Sequence, residues 1–257
     1  MTIPKQAAGA SATYIGEGTN IATSEPTFGQ LKLTARKLTA LTPVSNDLMR
    51  FSSLNVDMLV RNDLVAAIAQ AEDLNFIRGD GSGAGPRGLR YWAPAANVLA
   101  CNATVNLANT DIDLSRLWQQ LANANCRMQN LGWIFAPRTY SYLETLRDSN
   151  GNKAFPEVAT GKLKGYPFAT TTQIPINLAV TGTSESEIYL VDFADAIVAD
   201  VPGLIVDASS EAAYHNGSAV VAAFSLDQTV VRIIAEHDFG MRHDASVAVL
   251  KDVDWGA

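Results

Sequence analysis

An α+β architecture follows from three features of this chain. Apolar residues recur with a helical period over about residues 55–78 and 111–131. They alternate with a period of two over residues 28–44 and in several short runs of the second half. The two patterns interleave without the strict strand–helix–strand order of a parallel sheet, which separates α+β from α/β. The 257 residues suffice for one large domain or two modest ones with a proper core.

The elements can be justified in order. Residues 1–27 are rich in Gly, Ala, Ser and Thr and read as an arm or loop. From Phe28, the residues Leu31, Leu33 and Ala35 face one way and Lys32, Thr34 and Arg36 the other, a half-buried strand. The phase slips near Lys37, where a bulge or bend is expected; Leu38, Ala40, Thr42 and Val44 then share a face. Thr13–Ile15 is the candidate partner strand, leaving Gly16–Pro26 as the tip of a long hairpin. Ser45–Arg50 suits one helical turn. The helix over 55–78 starts at Asn55 or Asp57, carries a stripe of Val60, Leu64, Ala67, Ala71 and Leu74, and has Gly79 at its C′ position. Asp111–Leu131 is a second helix with Leu114, Leu117, Trp118, Leu121 and Met128 inward and Gly132 as its stop. Trp133–Ala136 reads as a buried strand, and Pro137 opens a third helix running to about Arg147. Asp148–Asn152 is a turn. Strands are expected at Tyr166–Thr172, Ile188–Val191, Leu204–Val206, Val220–Phe224, Thr229–Glu236 and Val247–Lys251.

Composition narrows function. Apolar residues make up 47% and charged residues 18%, and the net charge of −7 argues against a surface that grips nucleic acid through phosphates. Two cysteines, Cys101 and Cys126, form neither a disulfide framework nor a metal site and read as free thiols. The opening MTIPKQAAGASATY lacks the apolar region of a signal peptide, and no apolar run approaches a membrane span.

Candidate chemical sites fail on context. Gly83-Ala84-Gly85-Pro86-Arg87-Gly88 matches G-x-G-x-x-G, but a helix precedes it and an extended Leu89–Pro94 is expected after it. A dinucleotide loop needs the reverse order, because the following helix supplies the phosphate-binding N–H groups. His237 and His243 lie about 20 Å apart on a continuous strand, too far to share a metal unless the chain reverses at Gly240. The histidines, His215 included, read as surface or interface residues. Asp192 and Asp195 read as the cap and first turn of a helix, and Glu185 and Glu187 as solvated loop residues. No cofactor is expected, and no set of side chains passes for an active site.

Four blocks together resemble the major capsid proteins of tailed bacteriophages with the HK97 fold. They are GEGTNIATSEPTFGQLKLTARKLTALTPVSNDLM (16–49), AEDLNFIRGDGSGAGPRGL (71–89), the stretch from LGWIFAPRTYSYLETLRDSNGN to LKGYPFATTTQIP (131–175), and VVRIIAEHDFGMRHDASVAVLK (230–251). The resemblance implies a structural protein rather than an enzyme. Copies would form pentamers and hexamers and close into an icosahedral shell around double-stranded DNA, without sequence-specific binding and without a membrane. Other virion proteins such as the portal would be partners, and assembly would take place in the bacterial host cytoplasm. It implies an E-loop hairpin and spine helix in 1–95, an axial domain in 96–225, and C-terminal strands of the peripheral domain in 226–257. Gly16, Glu17, Gly18, Thr19, Asn20, Ile21, Thr23 and Glu25 would touch an adjacent subunit. Gly79, Asp80, Gly81, Gly83 and Pro86 would stop the spine helix and turn the chain. The family usually carries some tens of residues ahead of the loop, and often a scaffolding segment, whereas here Gly16 is already loop. Cross-linking relatives use a lysine near the loop tip, an asparagine on a neighbour and an assisting glutamate. No lysine lies between Gly16 and Gly29, the nearest being Lys5 and Lys32. Thr229 aligns with the asparagine and Glu236 with the glutamate, so a shell without covalent links is implied. An encapsulin-type compartment shares this fold and is the alternative reading, with an enzyme of unknown chemistry behind it.

Overall fold

The computed structural model describes residues 1–21, 23–52, 56–178 and 184–257. Strand β1 (Thr2–Ala8) pairs antiparallel with β2 (Thr27–Lys32), from Thr2 opposite Lys32 to Ala8 opposite Thr27. The partner of β2 is therefore the first strand of the sequence and not Thr13–Ile15, and the hairpin tip spans residues 9–26. Pro4, Lys5 and Gln6 in β1 break the apolar alternation that would mark it as a strand. The Met1 ammonium donates to the Leu33 carbonyl (2.7 Å) and the Leu33 N–H to the Met1 carbonyl (2.9 Å), which extends the ladder.

After β2 the strand is interrupted at residues 33–35, slightly ahead of the phase slip expected near Lys37, and the chain continues as β3 (Arg36–Ser45). Within this break the Asp238 carboxylate accepts the Thr34 N–H at 2.7 Å. Leu38, Ala40, Thr42 and Val44 turn inward along β3. Pro43 lies opposite Val230 in the ladder, and its lack of an N–H suits an edge strand.

Helix α1 (Asn46–Phe51) is short; α2 (Val56–Arg78) is the long helix, with Asn55 outside the described residues. Its buried row is Val56, Leu64, Ile68 and Ile77, with Val60 and Ala71 half-buried. Ala67 and Leu74, expected in that row, are exposed. The contact with the sheet follows a four-residue ridge, so Ile68 takes the place given to Ala67: Leu64 and Ile68 pack on Ile233. Past the glycine loop, α3 (Leu89–Trp92) forms a single helical turn where an extended segment was expected. Pro94 sits beyond that turn and does not prevent it.

Strand β4 (Val98–Ala100) leads to α4 (Leu107–Asn123), capped by Asn106, whose side chain accepts the Asn109 N–H. The helix lies toward the N-terminal side of its expected span. Asn125 and Met128 adopt positive φ (52° and 50°), so Met128 is not helical, and Gly132 belongs to the next strand. Leu114, Leu117 and Leu121 are fully buried, while Trp118 is exposed and donates its Nε1–H to the Tyr166 hydroxyl at 3.1 Å. Then follow β5 (Leu131–Phe135), α5 (Pro137–Thr145), β6 (Lys162–Leu163), β7 (Tyr166–Thr170) and β8 (Ser186–Asp192). After these come β9 (Ala196–Asp200), β10 (Ile205–Ser209), β11 (Ala213–His215), β12 (Val220–Ala222), β13 (Gln228–Met241) and β14 (Val247–Val253).

Two main sheets result. The six-stranded one runs β4-β14-β8-β5-β7-β6, parallel at β4/β14 and β5/β7. In the four-stranded one, β13 is flanked by β3 on one side and by β10 and then β9 on the other. Sheet membership cuts across the sequence ranges: β9 and β10 join the four-stranded sheet, and β14 the six-stranded one. The largest core lies where α4 and α5 cover one face of the six-stranded sheet, around Trp133, Phe135, Leu143 and Trp255. The other face meets the end of α2 through Ile77, Leu89, Tyr189, Phe239 and Met241.

Candidate assembly interface

The glycine loop is shaped by close approach as much as by left-handed backbone. Only Gly81 among its glycines has positive φ (70°). A Cβ on Gly79 would stand 2.3 Å from the Pro86 carbonyl oxygen and 2.6 Å from that of Asn75; one on Gly88 would stand 2.6 Å from the Asn75 oxygen. The Gly88 N–H returns to the Gly79 carbonyl at 2.7 Å and Asp80 bridges Arg87, so the loop folds back on the end of α2. Asp80 accepts hydrogen bonds from the Ser82 hydroxyl (2.5 Å) and N–H (3.0 Å), which hold its carboxyl below the usual range. Arg36 donates to the Gly83 carbonyl at 2.9 Å. A helix ahead of the loop and a single turn after it leave no helix N-terminus to cradle a phosphate.

The acidic residues are placed differently from expectation. Glu185 and Glu187 are buried: Glu187 lies on β8, a strand between β14 and β5 with both faces covered, and Glu185 immediately precedes it and bridges Leu178. Glu187 is clamped: Arg78 Nε lies 3.1 Å from Oε2, Arg90 Nε donates to Oε1 at 3.0 Å, and the Tyr189 hydroxyl donates to Oε2 at 2.6 Å. Burial, then the neighbouring Glu187 charge, raise the Tyr189 phenol well above its ordinary pKa. The clamp joins the end of α2, the α3 turn and the six-stranded sheet. Asp192 ends β8 and Asp195 sits in the turn to β9, neither on a helix. Asp192 accepts the backbone N–H groups of Gln129, Asn130 and Ala194. Asp195 accepts the Ser246 hydroxyl at 2.5 Å and stands 3.0 Å from His243 Nδ1. The carboxylate lies between serine and histidine, so the imidazole does not bond the hydroxyl and the order is not that of a serine–histidine–aspartate triad. His237 is buried rather than at the surface, its ring edge-on to Phe76 at 5.1 Å. Among the described residues no three His, Cys, Asp or Glu converge as metal ligands, and no helix is long and apolar enough to cross a membrane.

The surface is more distinctive than the interior. Gly16, Glu17, Gly18, Thr19, Asn20, Ile21, Thr23 and Glu25 are all exposed on the hairpin tip. Local bonds shape the tip: the Thr19 hydroxyl donates to the Gly16 carbonyl, and Ser11 and Ser24 pair across it. Tyr14, Ile21 and Phe28 stand in solvent there. Further exposed apolar residues lie on the two segments that Asp227 ties together, the turn before β13 and α1, through Asn46 and Arg50. They include Phe51 (83% exposed), Phe224 (81%), Leu48 and Leu226. Exposed apolar groups of this kind mark surfaces that meet a partner. Sequence periodicity misses this second set because its two segments are far apart in the sequence.

The profile of the phage capsid family matches residues 1–252. The chain belongs to that family. The major capsid protein of Klebsiella oxytoca phage phiKO2 is 42% identical over 247 residues, covering 95% of this chain and 58% of that protein. The chain thus spans less than two thirds of that curated relative. Among solved structures, a protein from Mycobacterium phage Adephagia aligns with TM-score 0.76 at 18% identity, over 97% of this chain and 84% of that one. A subunit from the capsid of the native GTA particle aligns with TM-score 0.74 at 16% identity, over 98% and 84%. At such identities the likeness speaks for the fold, which is the HK97-like α+β fold. The sequence resemblance to this family and fold is borne out.

Proposed function

We propose that this protein is the shell-forming unit of a phage head, a structural rather than catalytic protein. Copies assemble through pentamers and hexamers into an icosahedral shell around double-stranded DNA in the host cytoplasm, with the portal as a further partner. The observation that carries the reading is the hairpin, whose strands bury Leu31 in their own subunit but whose outer apolar residues Tyr14, Ile21 and Phe28 stand exposed. A protruding arm of small and polar residues gains its burial only on a neighbour. The tip from Gly16 to Glu25 supplies that contact. The glycine loop from Gly79 to Pro86 fixes the direction in which the axial part leaves the spine helix. Net negative charge suits an enclosure that must not trap the DNA it holds. Electron microscopy of the purified protein tests the proposal. Rings or closed shells are expected; a protein that stays monomeric at every concentration and salt, while its melting shows it folded, refutes self-assembly.

A further inference from the structure

The turn between β11 and β12 holds one of two Asn–Gly pairs in the sequence, Asn216–Gly217; the other is Asn150–Gly151. We propose that Asn216 is a self-modifying site, where the backbone nitrogen of Gly217 closes on the Asn216 amide with His215 as the base. Three observations meet at this turn. The Gly217 N–H donates to His215 Nδ1 at 3.0 Å, so that ring nitrogen is unprotonated and faces the proton that must leave. The Asn216 Oδ1 accepts the N–H groups of Ser218 (3.0 Å) and Ala219 (2.9 Å). These two donors polarise the amide carbonyl and await the oxyanion that forms on attack. Residues 215–219 are all exposed, so water reaches the product. At the other pair, the Gly151 N–H donates instead to the Asp148 backbone carbonyl at 3.1 Å, which is no base at neutral pH.

The reaction balances within the protein and water. The Gly217 nitrogen attacks Cγ of Asn216 and its proton passes to His215. A bond forms between that nitrogen and Cγ, and negative charge collects on Oδ1. The carbonyl then re-forms, the bond between Cγ and Nδ2 of Asn216 breaks, and the amide nitrogen takes the proton back from His215 and leaves as ammonia. Water opens the resulting succinimide at either carbonyl, giving aspartate or isoaspartate. The product carries one added negative charge on this exposed hairpin and, as isoaspartate, a lengthened backbone. This chemistry is independent of whether the protein forms shells.

The test is peptide mass spectrometry of the folded full-length protein held at neutral pH, with fragmentation that separates aspartate from isoaspartate. A positioned base contributes on the order of 10²–10⁴-fold, and at this water-exposed turn Asn216 is expected to convert at least about tenfold faster than Asn150. His215→Ala and His215→Gln should bring Asn216 to within about twofold of Asn150, and added imidazole should restore part of the rate to His215→Ala. Circular dichroism checks that the variants remain folded. Equal rates at the two asparagines, unchanged rates in both variants, or a loss that imidazole does not restore would each overturn the assignment.

Discussion

Glu187 holds two arginines from different elements, and removing its charge strands both. Glu187→Ala is expected to destabilise the isolated subunit by about 3–5 kcal/mol in denaturant melts, the usual cost of breaking a buried pair from one side. The glycine loop allows a sharper comparison. Gly83→Ala meets open space and should change stability by no more than about 0.5 kcal/mol. Gly79→Ala drives a methyl into two carbonyl oxygens and should cost several times as much, in the same melts. Cys101 is expected to resist alkylation at mildly alkaline pH until the protein unfolds. Burial first, then Asp113, push its thiol up to about 12. Because the folded pKa is the higher one, this thiol favours the fold fully below its ordinary value of 9.0, and the contribution is lost as pH rises toward about 12. Little of this was legible beforehand. Glu187 looks like a loop residue because its partners, Arg78 and Arg90, lie about a hundred positions away, and no local pattern reports a contact of that range.

Along α2, burial follows a row that contains Leu64 but not Leu74. Leu64→Ala should cost about 2–5 kcal/mol and Leu74→Ala no more than about 0.5 kcal/mol, measured by thermal or denaturant unfolding. The hairpin tip makes the opposite demand. Its amides should exchange rapidly in isolated subunits and slowly in assembled particles; strong protection in a verified monomer would count against it as an unpartnered arm. Elements with a strong local signature were legible: α5 opens at Pro137, β5 is an apolar run, and β3 alternates through four inward residues. Those without one were missed or shifted. β1 carries a proline and a lysine; β9 and β11 are short and partly exposed. The true end of α4, at Asn123, is followed by Asn125 in positive-φ backbone without a glycine to announce it.

Taken as a whole, the proposed shell subunit carries no lysine between Gly16 and Gly29 in its hairpin with which to link to a neighbour. Lys5 stands 3.4 Å from Asp244, Lys37 stands 3.6 Å from Glu236, and the Thr229 hydroxyl donates to the Asn46 Oδ1 oxygen. Assembled particles boiled in denaturing detergent should therefore run as one band near 27.4 kDa; a ladder surviving reductant would show a covalent link. On the proposed reading, a shell held this way would resist the pressure of packed DNA through its strands. The ladder between β3 and β13 runs unbroken from Ser45–Gln228 to Arg36–His237, and the hairpin hangs from the Arg36 end. A pull that enters β3 through its Arg36 end acts along the strands. Such a tug loads the rungs of the ladder in shear, together, where a pull across it would open them one by one like a zipper. The same β13 then hands the tension through residues 242–246 to β14, an interior strand of the other sheet, so the subunit is built as a tie-rod.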